Sequence, residues 1–177
     1  MNRNAQRLAV LVAAGTLGVV SLATAQDSAN RMTGDNTFAT KAWQGNMAEV
    51  KLGQLAQQNA ESQAVKDFGS RMVADHTKIN DDLKTVATRD GITLPTELDA
   101  RDQATYNRLS KLNGAAFDRA YLTDMIAAHK ADIAAFRHET ENGTNPDLKE
   151  FAAKAMPTLQ EHLQLAEQTN TQIKGKK

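Results

Sequence analysis

Four long stretches of this chain place apolar residues three or four positions apart, the period of a helix that turns one face to a core. In the second of them the seam runs through Val65, Phe68, Met72, Ile79, Leu83 and Val86. The first follows Phe38, Ala42, Gly45, Leu52 and Ala56, the third Leu122, Met125, Ile133 and Phe136, and the last Leu148, Ala152, Ala155, Leu159, Ala166 and Ile173. No segment alternates apolar and polar residues long enough to read as a strand.

Local punctuation sets the expected boundaries. The first helix spans residues 36–60, opened by Asn36 or Thr37 as N-cap. The second runs 62–90 and stops at Gly91, a natural C-cap. Ile92 to Pro95 reads as an extended link, followed by a short helix over 96–112 that Asn113 and Gly114 break. A third long helix covers 114–141 and ends at Asn142 and Gly143. The last opens on Asn145, with Pro146 in its first turn and Asp147 beside the positive helix end, and fades near Ile173. Four helices of roughly 40 Å each are the proportions of a bundle. An extended link plus a short helix between the second and third long helices can traverse the full bundle height, which makes those two parallel. One such crossover is the ferritin-like topology, so the expected fold is an all-α, ferritin-like four-helix bundle over 36–174, with one crossover carrying a short extra helix.

Ahead of that domain, residues 1–25 have a basic start with Arg3 and Arg7, an apolar run from Leu8 to Ala23 and the small triplet Ala23, Thr24, Ala25. This is the pattern of a secretory signal cleaved after Ala25, and it predicts a periplasmic or secreted protein with no integral membrane span after cleavage. Residues 26–35 are polar and small and read as a flexible lead-in. The chain has no cysteine, so neither a lipidated cysteine nor a disulfide contributes. The leader carries two of the 21 basic groups and none of the 21 acidic ones, which leaves the mature chain near neutral. That balance gives no footprint for nucleic acid and no basic stripe for an anionic membrane surface.

Each long seam carries one polar residue where a bundle wants an apolar one: Glu49, His76, His129 and His162. Each sits within about two residues of its helix midpoint, so all four share one depth whichever way the helices run. A carboxylate and three imidazoles buried there must bond one another, hold water or bind a metal. As ligands they suit Zn, Cu(II), Fe(II) or Mn, with Asp75, Asp132 and Glu161 beside them as outer partners. A ferritin-type di-iron centre needs Glu three residues before the histidines, where this chain has Val73, Ile126 and Leu159. A single ion is therefore the most the residues support. The other reading is a satisfied polar layer that only fixes helix packing in a structural or protein-interaction module of the cell envelope, and the pattern leaves both open. His138 reads as solvated, Trp43 and Tyr121 as packing residues. Pro157 is expected to kink the last helix ahead of Glu161 and His162. There is no phosphate-binding loop, nucleophile elbow or His-Glu-x-x-His pattern, which disfavours the common hydrolases and transferases.

Four segments carry a family resemblance: 44–56 (QGNMAEVKLGQLA), 65–76 (VKDFGSRMVADH), Phe117 to Tyr121 with His129 following, and 151–162 (FAAKAMPTLQEH). In this order the chain resembles the bacterial family catalogued as domain of unknown function 4142, described as exported or outer-membrane proteins. The resemblance implies a ferritin-like bundle and an envelope location, and implies no activity.

Overall fold

The computed structural model describes the backbone from Gly18 to Gly175 and side chains from Thr33 onward. Five helices follow in order: α1 (Gly18–Asn59), α2 (Gln63–Asp90), α3 (Ala100–Leu109), α4 (Gly114–Asn142) and α5 (Pro146–Lys174). Among the described residues there is no strand, and no helix is long and apolar enough to cross a membrane. The basic start of the leader and the first half of its apolar run lie outside the described residues.

Helix ends fall where their capping chemistry puts them. Gly91 closes α2 at φ 67°, donating its amide to the Ala87 carbonyl. The Asn145 side chain accepts from the amides of Asp147 and Leu148 and so starts α5, with Pro146 in its first turn. The short crossover helix starts at Ala100 rather than at 96, because Asp99 is the residue whose side chain caps it, accepting from the Asp102 amide at 2.8 Å. α5 runs unbroken across Pro157, which lies exposed. The start of α1 is a correction. Neither Asn36 nor Thr37 opens a helix there, and residues 26–35 are helical rather than an irregular lead-in. Nothing in that stretch stops a helix except the single Gly34, and the Thr37 hydroxyl bonds back to the Thr33 carbonyl, a mid-helix bond rather than a cap.

α1 packs along α2 and α4 along α5, and the two hairpins face each other through α2 against α5 and α1 against α4. Hydrogen bonds at the two ends of the bundle fix the topology. At one end the Asp118 carboxylate, in the first turn of α4, accepts the amides of Glu61 and Ser62 in the α1–α2 turn, at 3.1 and 2.9 Å. The Glu61 carboxylate in turn accepts the Ala115 amide, and Asn59 donates to the Leu112 carbonyl. At the other end Asp35 on α1 accepts the amides of Thr144 and Asn145 in the α4–α5 turn, and Asn145 also donates to Asp90 at the end of α2. So α4 starts where α2 starts and runs parallel to it, and the 91–113 segment crosses the bundle height as expected. The Trp43 indole donates to the Pro95 carbonyl at 2.8 Å and holds that crossover against α1.

The core falls into two apolar clusters. One holds Leu52, Ala56, Val65, Phe68, Met72, Phe117, Tyr121, Leu122, Met125 and Ala166. The other holds Ala39, Ile79, Leu83, Phe136, Leu148, Phe151, Ala155 and Leu159. Along every long helix buried polar residues separate them, one each on α2, α4 and α5 and both Asn46 and Glu49 on α1, and these form the layer described next. Beside it α1 and α2 approach closely at Gly53 and Gly69: a Cβ on Gly69 would sit 2.7 Å from the Ala56 Cβ and 2.8 Å from the Gly53 carbonyl oxygen.

Candidate metal centre

His76, His129 and His162 are fully buried, and Glu49 is 3% exposed. The three rings converge from α2, α4 and α5. His162 Nδ1 lies 3.2 Å from His76 Nε2 and 3.3 Å from His129 Nε2. One nitrogen of each ring falls in a set whose members all lie within 4.8 Å of one another. Phe68 abuts the His162 ring edge-on, with centroids 6.3 Å apart.

The opposite nitrogen of each ring faces an acceptor. His129 Nδ1 lies 3.0 Å from the Met125 carbonyl oxygen one turn earlier. His76 Nδ1 lies 2.8 Å from the Asn46 side-chain oxygen and 3.1 Å from Glu49 Oε2. His162 Nε2 lies 2.8 Å from the Asp75 carboxylate. The Met125 carbonyl, the Asn46 side-chain oxygen and the ionised Asp75 carboxylate accept, so each outer nitrogen carries the N–H. A neutral imidazole has one N–H, and the inner nitrogens are then three lone pairs aimed at one point.

The rings are neutral at pH 7. Burial lowers the His76 pKa well below the usual imidazole value, with the other two rings adding to the effect. Burial and then His162 push His129 down to about 4. Burial also lowers His162, against the opposing pull of Asp75. For Asp75 burial acts upward, but the hydrogen bonds from His162 and Arg71 prevail and hold the carboxyl below the usual carboxylate range. Arg71 bridges Asp75 at 3.2 Å and Glu161 at 2.8 Å on the exposed side of the layer.

Of the seven residues marked in the sequence, the structure brings the three histidines to one point. It places Glu49 behind them, against the outer nitrogens of His76 and His129, with Oε1 3.3 Å from His129 Nδ1. That N–H is directed at Met125, and Glu49 Oε1 has no hydrogen-bond partner. Asp75 meets His162 directly. Asp132 joins Glu49 and His129 in a second ligand-capable group, all within 4.8 Å. Glu161 is exposed and reaches the layer only through Arg71. Burial, reinforced by Asp132, raises the Glu49 carboxyl well above its usual range, and burial followed by Asp102 pushes Asp132 up to about 7. Tyr121 is buried with its hydroxyl unpartnered, and burial raises it as well. His138 is exposed beside Asn142. The sequence pattern passes over Asn46, which is 3% exposed, although it lies one turn before Glu49 on the same face of α1.

The family described as "Domain of unknown function (DUF4142)" matches residues 21–169 of the chain. Among solved structures, the crystal structure of a DUF305 fragment from Deinococcus radiodurans superposes with a TM-score of 0.70 at 14% identity, over 78% of this chain and 96% of that one. At that identity the likeness speaks for the helical fold alone. No curated protein matches the chain.

Proposed function

Since the chain belongs to the DUF4142 family, whose description assigns no activity, we propose from its own residues that it binds one transition-metal ion at His76, His129 and His162. The observation that carries this is the inward convergence of three imidazole lone pairs whose outer nitrogens all face acceptors. The His162 lone pair faces those of His76 and His129 at 3.2 and 3.3 Å, and a cation at the focus turns that repulsion into bonds. The spacing suits it: metal–nitrogen bonds of about 2.0–2.1 Å at tetrahedral angles put neighbouring nitrogens about 3.3–3.4 Å apart. Oriented outer nitrogens are the usual support of metal-bound histidines. Behind the rings the Asp75 carboxylate would offset one of the two positive charges, and Glu49 would offset the other by releasing its proton as the ion binds, which lowers the cost of burying the ion.

Neutral imidazoles favour Zn²⁺ or Cu²⁺. Iron and manganese prefer a carboxylate among the first ligands, and Glu49 is turned to the outer nitrogens instead. In the three-histidine set, three protein nitrogens leave a fourth position for water or a small ligand. The polar-layer reading asks the same three lone pairs to face one another uncompensated, and is the weaker for it. We further propose that the mature chain is exported, on the strength of the basic, apolar and small-residue pattern over 1–25, and that it serves metal handling or envelope stress.

Elemental analysis of the untagged mature protein, repeated on His76→Ala, tests the site. One ion per chain, absent from the variant, is the expected result. No ion in the wild type, even after incubation with Zn²⁺ or Cu²⁺, would overturn it.

A further inference from the structure

A groove of about 850 Å³ runs between the middle of α1 and the second half of α4. Its walls carry the carboxyl groups of Asp35, Asp132, Glu139 and Glu141 beside Lys41 and Lys149, so oxygen donors line it along its length. Asp132 belongs to two structures at once. It lines this groove, and its carboxylate stands within 4.8 Å of ligand atoms of Glu49 and His129. In that group Glu49, although 3% exposed, leaves Oε1 without a hydrogen-bond partner. A buried carboxyl oxygen in that state is costly, and a cation would satisfy it. His129 is common to both groups: its Nδ1 side faces Glu49 and its Nε2 side faces the three-imidazole focus.

Resting on the metal reading above, we propose that the ion enters by the α1–α4 groove and is held between Glu49 and Asp132 before it passes to His76, His129 and His162. The order follows from the donors. Carboxylate oxygens take a hydrated divalent ion readily, and the three nitrogens bind a borderline metal more tightly once water has been shed. Asp132 is thus a positioning residue on the path rather than a ligand of the final site. A group that acts on the path alone changes loading and release by the same factor and leaves the equilibrium constant in place.

The test follows Co²⁺ binding to the untagged, metal-free protein by stopped-flow absorbance in the visible bands of nitrogen-bound Co²⁺, with release followed by chelator chase. Asp132→Asn, which removes one of the two carboxyl groups that hold the ion on its way in, should slow loading and release alike by about tenfold, the low end of what local charge contributes to association rates, with stoichiometry and affinity retained. Ala131→Trp, which narrows the groove while leaving both carboxylates in place, should slow loading too. If both variants load at the wild-type rate while the wild type binds one Co²⁺, the route is wrong and the site stands. If Asp132→Asn loads normally but releases faster, Asp132 acts on the bound ion and the route is again wrong. A wild type that binds no Co²⁺ overturns the site and the route together.

Discussion

Replacing Asp75 by alanine removes the acceptor that fixes which nitrogen of His162 carries the proton. In the metal-free wild type the 2.8 Å contact to Asp75 holds the N–H at Nε2 and leaves the Nδ1 lone pair facing inward. Without the carboxylate, the proton is free to move to Nδ1 and bond His76 Nε2 or His129 Nε2, which already stand 3.2 and 3.3 Å away. That bond occupies the lone pair a metal needs. Loss of such an outer partner costs about 10–100-fold in metal affinity, or about 1.4–2.7 kcal/mol. The Arg71–Asp75 pair is lost as well, but with side chains 43% and 32% exposed it is screened by solvent, and such pairs contribute about 0–1 kcal/mol. Thermal melts with and without Zn²⁺ isolate the metal contribution, since each protein is its own metal-free reference. At a Zn²⁺ concentration about 1,000 times the wild-type dissociation constant, the wild type should gain about 4 kcal/mol. The variant, bound 10–100 times more weakly, should gain only about 1.4–2.7 kcal/mol. Each kcal/mol is worth about 2–4 °C in a domain of this size. Equal zinc-induced gains in the two proteins would refute the reasoning, as would a ¹⁵N spectrum of the metal-free wild type showing His162 protonated at Nδ1.

Two further outcomes test the frame around the site. Gly69→Ala should lower stability by about 1–3 kcal/mol in a denaturant titration, the usual cost of overpacking, because the new Cβ would meet the Ala56 Cβ at 2.7 Å and the Gly53 carbonyl at 2.8 Å; a neutral result would mean that α1 and α2 separate freely there. Glu139 gives a pH effect. Burial first, then the neighbouring Asp35 carboxylate, push its carboxyl from 4.5 up to about 7. The folded state therefore keeps a proton that the unfolded chain releases, and this stability is full below about 4.5 and lost as pH rises through about 7. Glu139→Gln should thus melt higher than the wild type at pH 8 and lose that advantage at pH 4.5; an advantage independent of pH would contradict the assignment.

The bundle was legible in the sequence because each helix carries its own stop and start signals. Gly91 and the Asn145-Pro146-Asp147 run define their helix ends by backbone chemistry that tertiary contacts do not alter. The polar, small composition of residues 26–35 suggests an irregular segment, yet nothing among them terminates a helix, so α1 runs through them. The depth of the histidine layer followed from counting along the seams, but the role of each residue did not. Whether Glu49 meets the inner or the outer face of the imidazoles depends on side-chain rotamers across three helices, which periodicity does not encode. Asn46 was legible in principle, as a polar residue one turn from Glu49 on the buried face of α1. Asp35 and Asp118 were not, since their partners are backbone amides of turns far away in the sequence.

The histidines are unevenly divided between the two halves of the molecule: His76 belongs to the α1–α2 hairpin, His129 and His162 to the α4–α5 hairpin. Were the hairpins to part, or to be exchanged between two copies of the chain through the 91–99 link, the triad would be dismantled or rebuilt from two polypeptides. A coordinated ion at the focus would therefore act as a cross-link, resisting that separation in the absence of any disulfide, and its release would have to precede any opening of the bundle along this seam.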